Sequence, residues 1–396
     1  MAHGFDERKL AHNLDRLLGE WVESGRLPGV QALVARRGDI AYRARFGVAN
    51  LERREPLRDD SIFRIYSMTK VFTAVAACQL LEEGRFAMYD PLSRYIPEFA
   101  STRVAGRSAA GGITLVPPRR EIIVHDLFTM GTGFPYPGEL TPSERGMAAL
   151  FRRAEAAGKR GAGWSAVDIA RAIAKVPASF HPGEHWLYGM SIDLLGALVE
   201  VISGQRLGDF MSERIFTPLG LADTGFYLPA DKADRLVTLY EVDDRDRFTP
   251  ARFDVAYPAP PAAESGGGGL LSTLDDVARF ATLLLGEGRS GATRLLSRKT
   301  VELMRTNHLT DQQLADYTWD TQRGYGYGLG VRVMRHPEVA GYGSVGEFAW
   351  DGMAGTWFAV DPAEEMIAVF LVQTNPGRHY QFVPRFAQTV YGAIND

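Results

Sequence analysis

The sequence of 396 residues contains a single cysteine, Cys78. One thiol excludes an intramolecular disulfide framework and most cysteine-based metal sites. Cys78 falls inside a run with the composition of a helix, residues 71–81. We expect it to be a small, buried, apolar residue of that helix.

The features of a membrane-spanning or secreted chain are also missing. No stretch approaches the roughly 18 apolar residues that cross a bilayer. The N-terminus lacks the apolar segment of a signal peptide. We therefore expect a soluble cytoplasmic protein that does not enter a membrane.

There is no strong excess of charge of either sign. The formal net charge is −4, and 45% of the residues are hydrophobic. The sequence pI is about 6.1. This composition is typical of a globular protein and offers no electrostatic basis for binding a nucleic acid. The length suits two domains, or one large domain with insertions.

The apolar pattern predicts strands near both ends of the chain and helices between them. An amphipathic helix is expected over residues 7–24, followed by a hairpin that turns at residues 36–39. Further helices are expected over residues 146–158, 165–176, 190–203, 206–214, 274–286 and 379–394. Further strands are expected over residues 325–333, 339–345, 357–361 and 366–373, and a loop over residues 103–120.

This order indicates one sheet built from both ends of the chain, with a helical region inserted between them. We expect residues 1–95 and 300–396 to form an α/β domain. Residues 96–299 are expected to form a mainly helical domain. The active site is then predicted at the junction of the two domains.

Ser67 and Lys70 lie three residues apart, where the strand-like run 61–66 passes into a helix. Residues at this spacing share a helix face, so the lysine amine can reach the serine oxygen. A serine hydroxyl becomes a nucleophile when an adjacent base takes its proton, and a lysine amine can be that base. The pair alone is a weak signal, because a capping serine and a solvated lysine give the same spacing.

Two other local patterns are compatible with packing as well as with function. Tyr188 stands at a junction between a loop and a helix. The glycines of residues 265–269 suit a tight turn as well as the lining of a substrate site.

Two segments have the spacing of a metal or dinucleotide motif but lack the structural context that such a site needs. His181 and His185 have the four-residue spacing of zinc-binding helices, but the Pro182-Gly183 between them argues against a helix. Residues 341–346 match G-x-G-x-x-G without the strand-turn-helix context that binds a dinucleotide. We therefore expect neither a metal nor a cofactor.

Three elements taken together are more specific than any one of them. They are Ser67-x-x-Lys70, Tyr188 at a helix start, and Trp350-Asp351-Gly352 entering a strand. Their order and spacing resemble the serine β-lactamase and penicillin-binding-protein superfamily, in its class C and D-alanyl-D-alanine-carboxypeptidase branch. Within it the sequence is most similar to family VIII carboxylesterases.

The resemblance implies a fold class and a set of roles. The fold would be α+β and β-lactamase/transpeptidase-like, an antiparallel sheet flanked by helices plus an all-helical region. Ser67 would be the acylated nucleophile, and Lys70 and Tyr188 would share the acid and base work. The backbone N–H groups of Ser67 and Met353 would form the oxyanion hole.

Two departures from the family pattern bear on the substrate. Members active on β-lactams have Tyr-x-Asn where this chain has Met190 at the third position. They have Lys-Thr-Gly where it has Trp350, Asp351 and Gly352. The resemblance implies that Met190 and this triplet contact the substrate. A substrate carboxylate would find no lysine to pair with here, and Asp351 would repel it, unless another cation such as Arg323 or Arg332 takes the place of that lysine.

The most specific prediction is that the protein is a serine hydrolase that cleaves carboxylic esters of small neutral molecules through an acyl-enzyme on Ser67. One alternative is a β-lactamase or D-alanyl-D-alanine carboxypeptidase of the same fold. Another is a catalytically silent binding protein. The expected partner is a small ester, and neither nucleic acid nor membrane is expected to bind.

Overall fold

The computed structural model describes residues 4–107, 112–252, 256–319 and 322–396. The helices in these ranges are α1 Glu7–Glu23, α2 Thr69–Glu82, α3 Val124–Phe128, α4 Pro142–Gly158, α5 Ala166–Ile173, α6 Ser191–Ser203, α7 Leu207–Met211, α8 Thr217–Leu219, α9 Leu274–Leu285, α10 Arg298–Met304, α11 Asp311–Asp316, α12 Pro337–Ala340 and α13 His379–Tyr391. The strands are β1 Gly29–Arg36, β2 Asp39–Asn50, β3 Glu55–Pro56, β4 Phe63–Arg64, β5 Val104–Arg107, β6 Ile113–Val116, β7 Tyr240–Val242, β8 Phe248–Pro250, β9 Leu271–Ser272, β10 Arg289–Ser290, β11 Thr293–Arg294, β12 Tyr325–Tyr327, β13 Arg332–Met334, β14 Phe348–Asp351, β15 Trp357–Asp361, β16 Met366–Leu371 and β17 Thr374–Asn375.

Strands from both ends of the chain form one antiparallel sheet in the order β12-β13-β14-β15-β16-β1-β2-β3. In this sheet β1 lies between β2 and β16, and Ala32 is opposite both Ala44 and Phe370. Trp350 on β14 is opposite Phe358 on β15. The mixed architecture with an antiparallel sheet confirms the predicted α+β class, while the domain boundaries remain a prediction.

Helices cover both faces of this sheet. Successive side chains of a strand point to opposite faces, so Ala32 packs with α1 and α13, whereas Leu33 packs with the core that contains α2 and α9. Trp350 also points into the core that contains α2. That second face is therefore where the sheet, α2 and the helical part of the chain meet.

The helix α2 is buried on all sides. Its residues from Thr69 to Leu80 are all buried, a property of a central rather than a surface helix. Cys78 is fully buried as expected, and burial raises the pKa of its thiol. Within the described ranges, no helix has both the length and the apolar composition needed to cross a membrane.

The prediction of a strand over residues 339–345 is wrong. Residues Pro337–Ala340 form α12, and Gly341 and Gly343 follow with φ angles of 107° and 120°. Glycine adopts such angles without steric cost, and they break the extended path of a strand. The strand of this region, β14, begins only at Phe348.

Other expectations also need correction. The single strand expected over residues 325–333 is instead two antiparallel strands, β12 and β13, with Tyr325 opposite Met334. The composition of residues 103–120 predicts a loop, but β5 and β6 pair there as a hairpin, with Val104 opposite Val116. Their bias toward Gly, Ala and Arg hides the strand signal, and residues 108–111 lie outside the described ranges. The helix expected over residues 206–214 ends at Met211 and continues as the π-helical turn Ser212–Phe216.

Candidate active site

Ser67 lies at a sharp bend between β4 and α2. The preceding residue, Tyr66, has a φ of 42°, a left-handed conformation that is rare for residues other than glycine. Residues Tyr66–Met68 then form a single 3-10 turn that continues into α2. Ser67 does not cap the helix, whose N-cap is Met68, so its hydroxyl is available for other contacts.

Lys70 is fully buried beside this hydroxyl. Its Nζ lies 2.9 Å from Ser67 Oγ and donates to the carbonyl oxygen of Gly267 at 2.5 Å. The structure therefore brings together the two residues whose spacing predicts a nucleophile and its base. An amine at this distance can accept the proton of the hydroxyl.

Gly267 belongs to the glycine-rich turn at residues 265–269. This turn leads into β9, which pairs with β4 immediately before Ser67: Phe63 is opposite Ser272. The structure thus assigns the turn a contact with the Lys70 amine. Composition alone does not reveal this contact, because the two segments are far apart in the sequence.

Tyr188 lies on the other side of the lysine. The centre of its ring is 4.6 Å from Lys70 Nζ. Its hydroxyl oxygen accepts a hydrogen bond from the indole Nε1 of Trp350 at 3.2 Å. Trp319 packs edge-on against the same ring, with centroids 4.9 Å apart. The predicted Tyr188 and Trp350 are therefore in direct contact, which the sequence did not indicate.

Tyr136 is a further member of this group, which the sequence pattern does not predict. Its ring centre lies 5.7 Å from Lys70 Nζ and 5.5 Å from the ring of Tyr188. Burial, followed by interactions with Tyr188 and Asp193, raises the pKa of Tyr136 well above its ordinary value. Its hydroxyl therefore stays protonated at neutral pH. No local motif marks Tyr136, which lies in a loop rich in Gly, Pro and Thr.

Gly352 brings the end of β14 close to the nucleophile. A Cβ atom at Gly352 would collide with the carbonyl oxygen of Ile65, two residues before Ser67. Only glycine allows this approach. Met353 follows on the rim and lines the same cleft as Ser67. Within the described part of the chain its N–H makes no hydrogen bond, so it can serve as an oxyanion donor.

Asp351 carries an ion pair rather than an isolated charge. Its Oδ2 lies 2.9 Å from Nη1 of Arg332, which is buried. Burial alone lowers the pKa of Arg332, but Asp351, Tyr325 and Glu347 raise it above its ordinary value. The expected repulsion of anions by Asp351 is therefore largely offset. In turn, Arg332 is engaged and does not replace the missing lysine.

Two spaces border the group formed by Ser67, Lys70, Tyr188 and Tyr136. The first is an open cleft of about 410 Å³. It is lined by Ser67, Tyr188, Trp319, Gln322, Asp351, Met353, Pro376, Gly377, Arg378, His379 and Tyr380. The second is a mainly apolar cavity of about 390 Å³, bounded by α4, α5 and the start of α6. Met190 and Tyr136 belong to its wall, so Met190 borders this cavity.

The two histidines with zinc-like spacing are engaged separately. His185 Nδ1 lies 2.9 Å from Asp316 Oδ2, and His181 Nδ1 accepts from the backbone N–H of Arg119 at 3.3 Å. Among the described residues, no group of three or more His, Cys, Asp or Glu side chains is arranged to hold a metal ion.

An antiparallel sheet packed against a buried helix that starts with Ser-x-x-Lys is the architecture of the β-lactamase/transpeptidase class. The chain belongs to the Beta-lactamase family, whose model matches residues 14–390. The expected family and fold are thus confirmed.

The relatives of this chain include named esterases. It is 35% identical over 370 residues to Protein Rv1367c of Mycobacterium tuberculosis (strain ATCC 25618 / H37Rv), covering 90% of this chain and 88% of that protein. It is 30% identical over 406 residues to Esterase EstB of Burkholderia gladioli, covering 94% and 93%. The solved structure of EstCE1, "a hydrolase with promiscuous acyltransferase activity", matches with a TM-score of 0.80 and 25% identity, covering 98% and 99%. These relatives support hydrolase activity.

Proposed function

We propose that this protein is a serine carboxylesterase that works through an acyl-enzyme on Ser67. The observation that carries the proposal is the buried Lys70 amine, 2.9 Å from Ser67 Oγ, in a chain related to esterases over nearly its whole length. A buried amine without a chemical task would be a costly feature of the core.

The proposed reaction has two halves. Ser67 Oγ attacks the ester carbonyl carbon while Lys70, assisted by Tyr188, takes the hydroxyl proton. The N–H groups of Ser67 and Met353 donate to the resulting oxyanion. The bond to the alcohol oxygen then breaks, and the alcohol leaves with a proton delivered through Tyr188. Water attacks the acyl-enzyme with the same groups acting as base, which releases the carboxylic acid and restores Ser67.

The surroundings of the cleft favour a neutral substrate. Arg332 pairs with Asp351, and Arg378 pairs with Asp246 and donates to the backbone carbonyl of Arg26. Trp350 is fully buried and supplies no cation at the position where the β-lactam-active members of the superfamily have a lysine. A substrate carboxylate would therefore lose a charge-assisted hydrogen bond worth roughly 1.5–3 kcal/mol.

We assign the two halves of the ester to the two spaces. Tyr188, the proposed proton donor to the leaving group, lines the open cleft together with the exposed aromatic rings of Trp319 and Tyr380. The alcohol half belongs there. The acyl chain then points the other way, toward the apolar cavity beyond Met190 and Tyr136.

The nucleophile is tested by covalent labelling. We expect a fluorophosphonate to add one adduct to the protein, mapped to Ser67, and Ser67→Ala to abolish both labelling and ester turnover. Ser344→Ala, which removes a hydroxyl outside the site, is the matched control and should behave as wild type. An adduct on Ser344 or Ser191 would refute the assignment.

The substrate class is tested by steady-state kinetics. We expect kcat/KM for p-nitrophenyl butyrate to exceed that for benzylpenicillin by at least about a hundredfold, the scale of one lost charge-assisted contact. Comparable values would instead favour a β-lactamase. No turnover of either substrate, with Ser67 unlabelled, would favour a silent binding protein.

A further inference from the structure

The turn at residues 265–269 is held from one side by α2. Lys70 Nζ donates to the carbonyl of Gly267 at 2.5 Å, and Thr73 Oγ1 donates to the carbonyl of Gly266 at 2.8 Å. The Gly267 carbonyl is thus a direct partner of the amine. Its position helps to set where Nζ lies relative to Ser67.

The same turn is held from the other side by Asp193 on α6. Asp193 Oδ1 accepts the N–H of Gly267 at 3.1 Å and the hydroxyl of Ser265 at 2.6 Å. A Cβ atom at Gly267 would collide with the other carboxylate oxygen, so the contact requires glycine.

Asp193 also borders the apolar cavity, but among the described residues its side-chain hydrogen bonds go only to this turn. It lies in the first turn of α6, whose N-cap, Met190, makes no side-chain cap. An acidic residue there commonly bonds back to its own helix start, but this one bonds outward to the turn. In the part of the chain that the structure describes, Asp193 makes no ion pair. Its hydrogen bonds are directed at the loop that contacts the catalytic amine.

We propose that Asp193 is a positioning residue for Lys70, acting through the backbone of Gly267. The proposal rests on the function proposed above. Asp193 fixes the N–H side of Gly267, and the carbonyl of the same residue holds Nζ within reach of Ser67. Displacing a reacting group by about 1 Å can cost on the order of a hundredfold in rate, so a loosened turn slows proton removal from Ser67.

The test compares Asp193→Ala with Asp193→Asn. The alanine variant loses the acceptor, so we expect kcat for p-nitrophenyl acetate and the labelling rate of Ser67 by a fluorophosphonate to fall at least about tenfold. KM for this ester should change by less than about twofold, because its acyl group is too short to fill the cavity that Asp193 also borders. The asparagine variant keeps an acceptor oxygen and should stay within about threefold of wild type.

Two further variants keep the test decisive. Asp209→Ala removes an exposed carboxylate from the nearby α7 and should leave both rates unchanged. Gly267→Ala drives a methyl group against an intact Asp193, and we expect it to slow labelling of Ser67 at least about tenfold. It tests the same contact independently if Asp193→Ala does not fold. Melting temperatures report on folding separately.

Three results would overturn the proposal. They are wild-type labelling in folded Asp193→Ala or Gly267→Ala, an equal loss in Asp193→Asn and Asp193→Ala, or a change confined to KM. Failure of the proposed function gives a different result, since Ser67→Ala would then retain turnover. If Ser67→Ala is inactive while Asp193→Ala is fully active, only the role of Asp193 is refuted.

Discussion

Trp350 has a polar as well as an apolar part at the active site. Its Nε1 donates to the Tyr188 hydroxyl oxygen at 3.2 Å, and the side chain is fully buried. A donor on the phenol oxygen stabilises any negative charge that develops when Tyr188 transfers a proton. It also leaves the phenol O–H free to turn toward another acceptor. Trp350, which stands in place of the lysine that would bind a substrate carboxylate, thus also supports Tyr188, the proposed acid.

We predict that Trp350→Phe lowers kcat for p-nitrophenyl butyrate by about five- to tenfold, the effect of losing one buried hydrogen bond of about 1 kcal/mol. The phenylalanine keeps most of the apolar ring that packs against Tyr188. Trp357→Phe is the matched control, because Trp357 is buried and its Nε1 has no hydrogen-bond partner in the described structure. Equal kcat values in Trp350→Phe and wild type would show that the bond does not matter.

At the scale of residues, the sequence predicts contacts that are local. Ser67 and Lys70 are placed together by helix geometry alone. The partners Gly267 and Trp350 come from segments far along the chain, and only the folded sheet and turn bring them to the site. The ion pair of Arg332 with Asp351 depends on the pairing of β13 with β14. No local pattern encodes such a pairing.

At the scale of elements, α5 determines the size of the proposed acyl cavity. Its face carries Ala166, Ile169, Ala170 and Ile173 into the cavity wall. Each methylene of an acyl chain that is buried there gains about 0.8 kcal/mol. Since the small side chain of Ala166 leaves room at the first turn of the helix, longer acyl chains are expected to fit.

We predict that Ala166→Phe reduces kcat/KM for p-nitrophenyl octanoate at least about tenfold relative to the acetate, because the ring occupies space that a long chain needs. Ala149→Phe, the same change on the exposed face of α4, should leave the ratio unchanged. Both ratios come from initial rates on the two esters. An unchanged ratio in Ala166→Phe would place the acyl chain elsewhere.

The elements predicted correctly are those with a strong apolar period. The helix α1 and the strands β15 and β16 lie close to their expected ranges. The failures occur where composition and conformation disagree. Apolar Val339 and Val345 suggested a strand, but glycines with positive φ intervene between them. In β6, exposed Ile113 and Leu115 belong to a hairpin within a segment of loop-like composition.

At the scale of the whole molecule, a buried charge cluster joins the sheet to the last helix. Glu347 is buried at the start of β14, near Arg332, and receives weak hydrogen bonds from Tyr325 at 3.4 Å and Tyr391 at 3.5 Å. Burial raises the pKa of Glu347 from 4.5 to about 7, against the opposing effect of Arg332. The neighbouring Asp361 contributes to this increase in the pKa of Glu347.

This pKa makes the stability of the fold depend on pH. The folded protein holds the proton of Glu347 more tightly than the unfolded chain. The stability that the protonated carboxyl contributes is therefore fully present below pH 4.5 and is lost as the pH rises through about 7. A shift of this size corresponds to on the order of 3 kcal/mol in the free energy of unfolding. The loss accompanies ionisation of a carboxyl that the core does not solvate.

We predict that Glu347→Gln, which cannot ionise, loses less unfolding free energy than wild type between about pH 5 and about pH 8.5, by on the order of 3 kcal/mol. Urea unfolding at both pH values measures the difference. Glu338→Gln, at an exposed position on α12, should follow the wild-type dependence. Because the other groups titrate in both proteins, the comparison isolates Glu347. Parallel dependences on pH for Glu347→Gln and wild type would show that this carboxyl is already ionised in the folded protein.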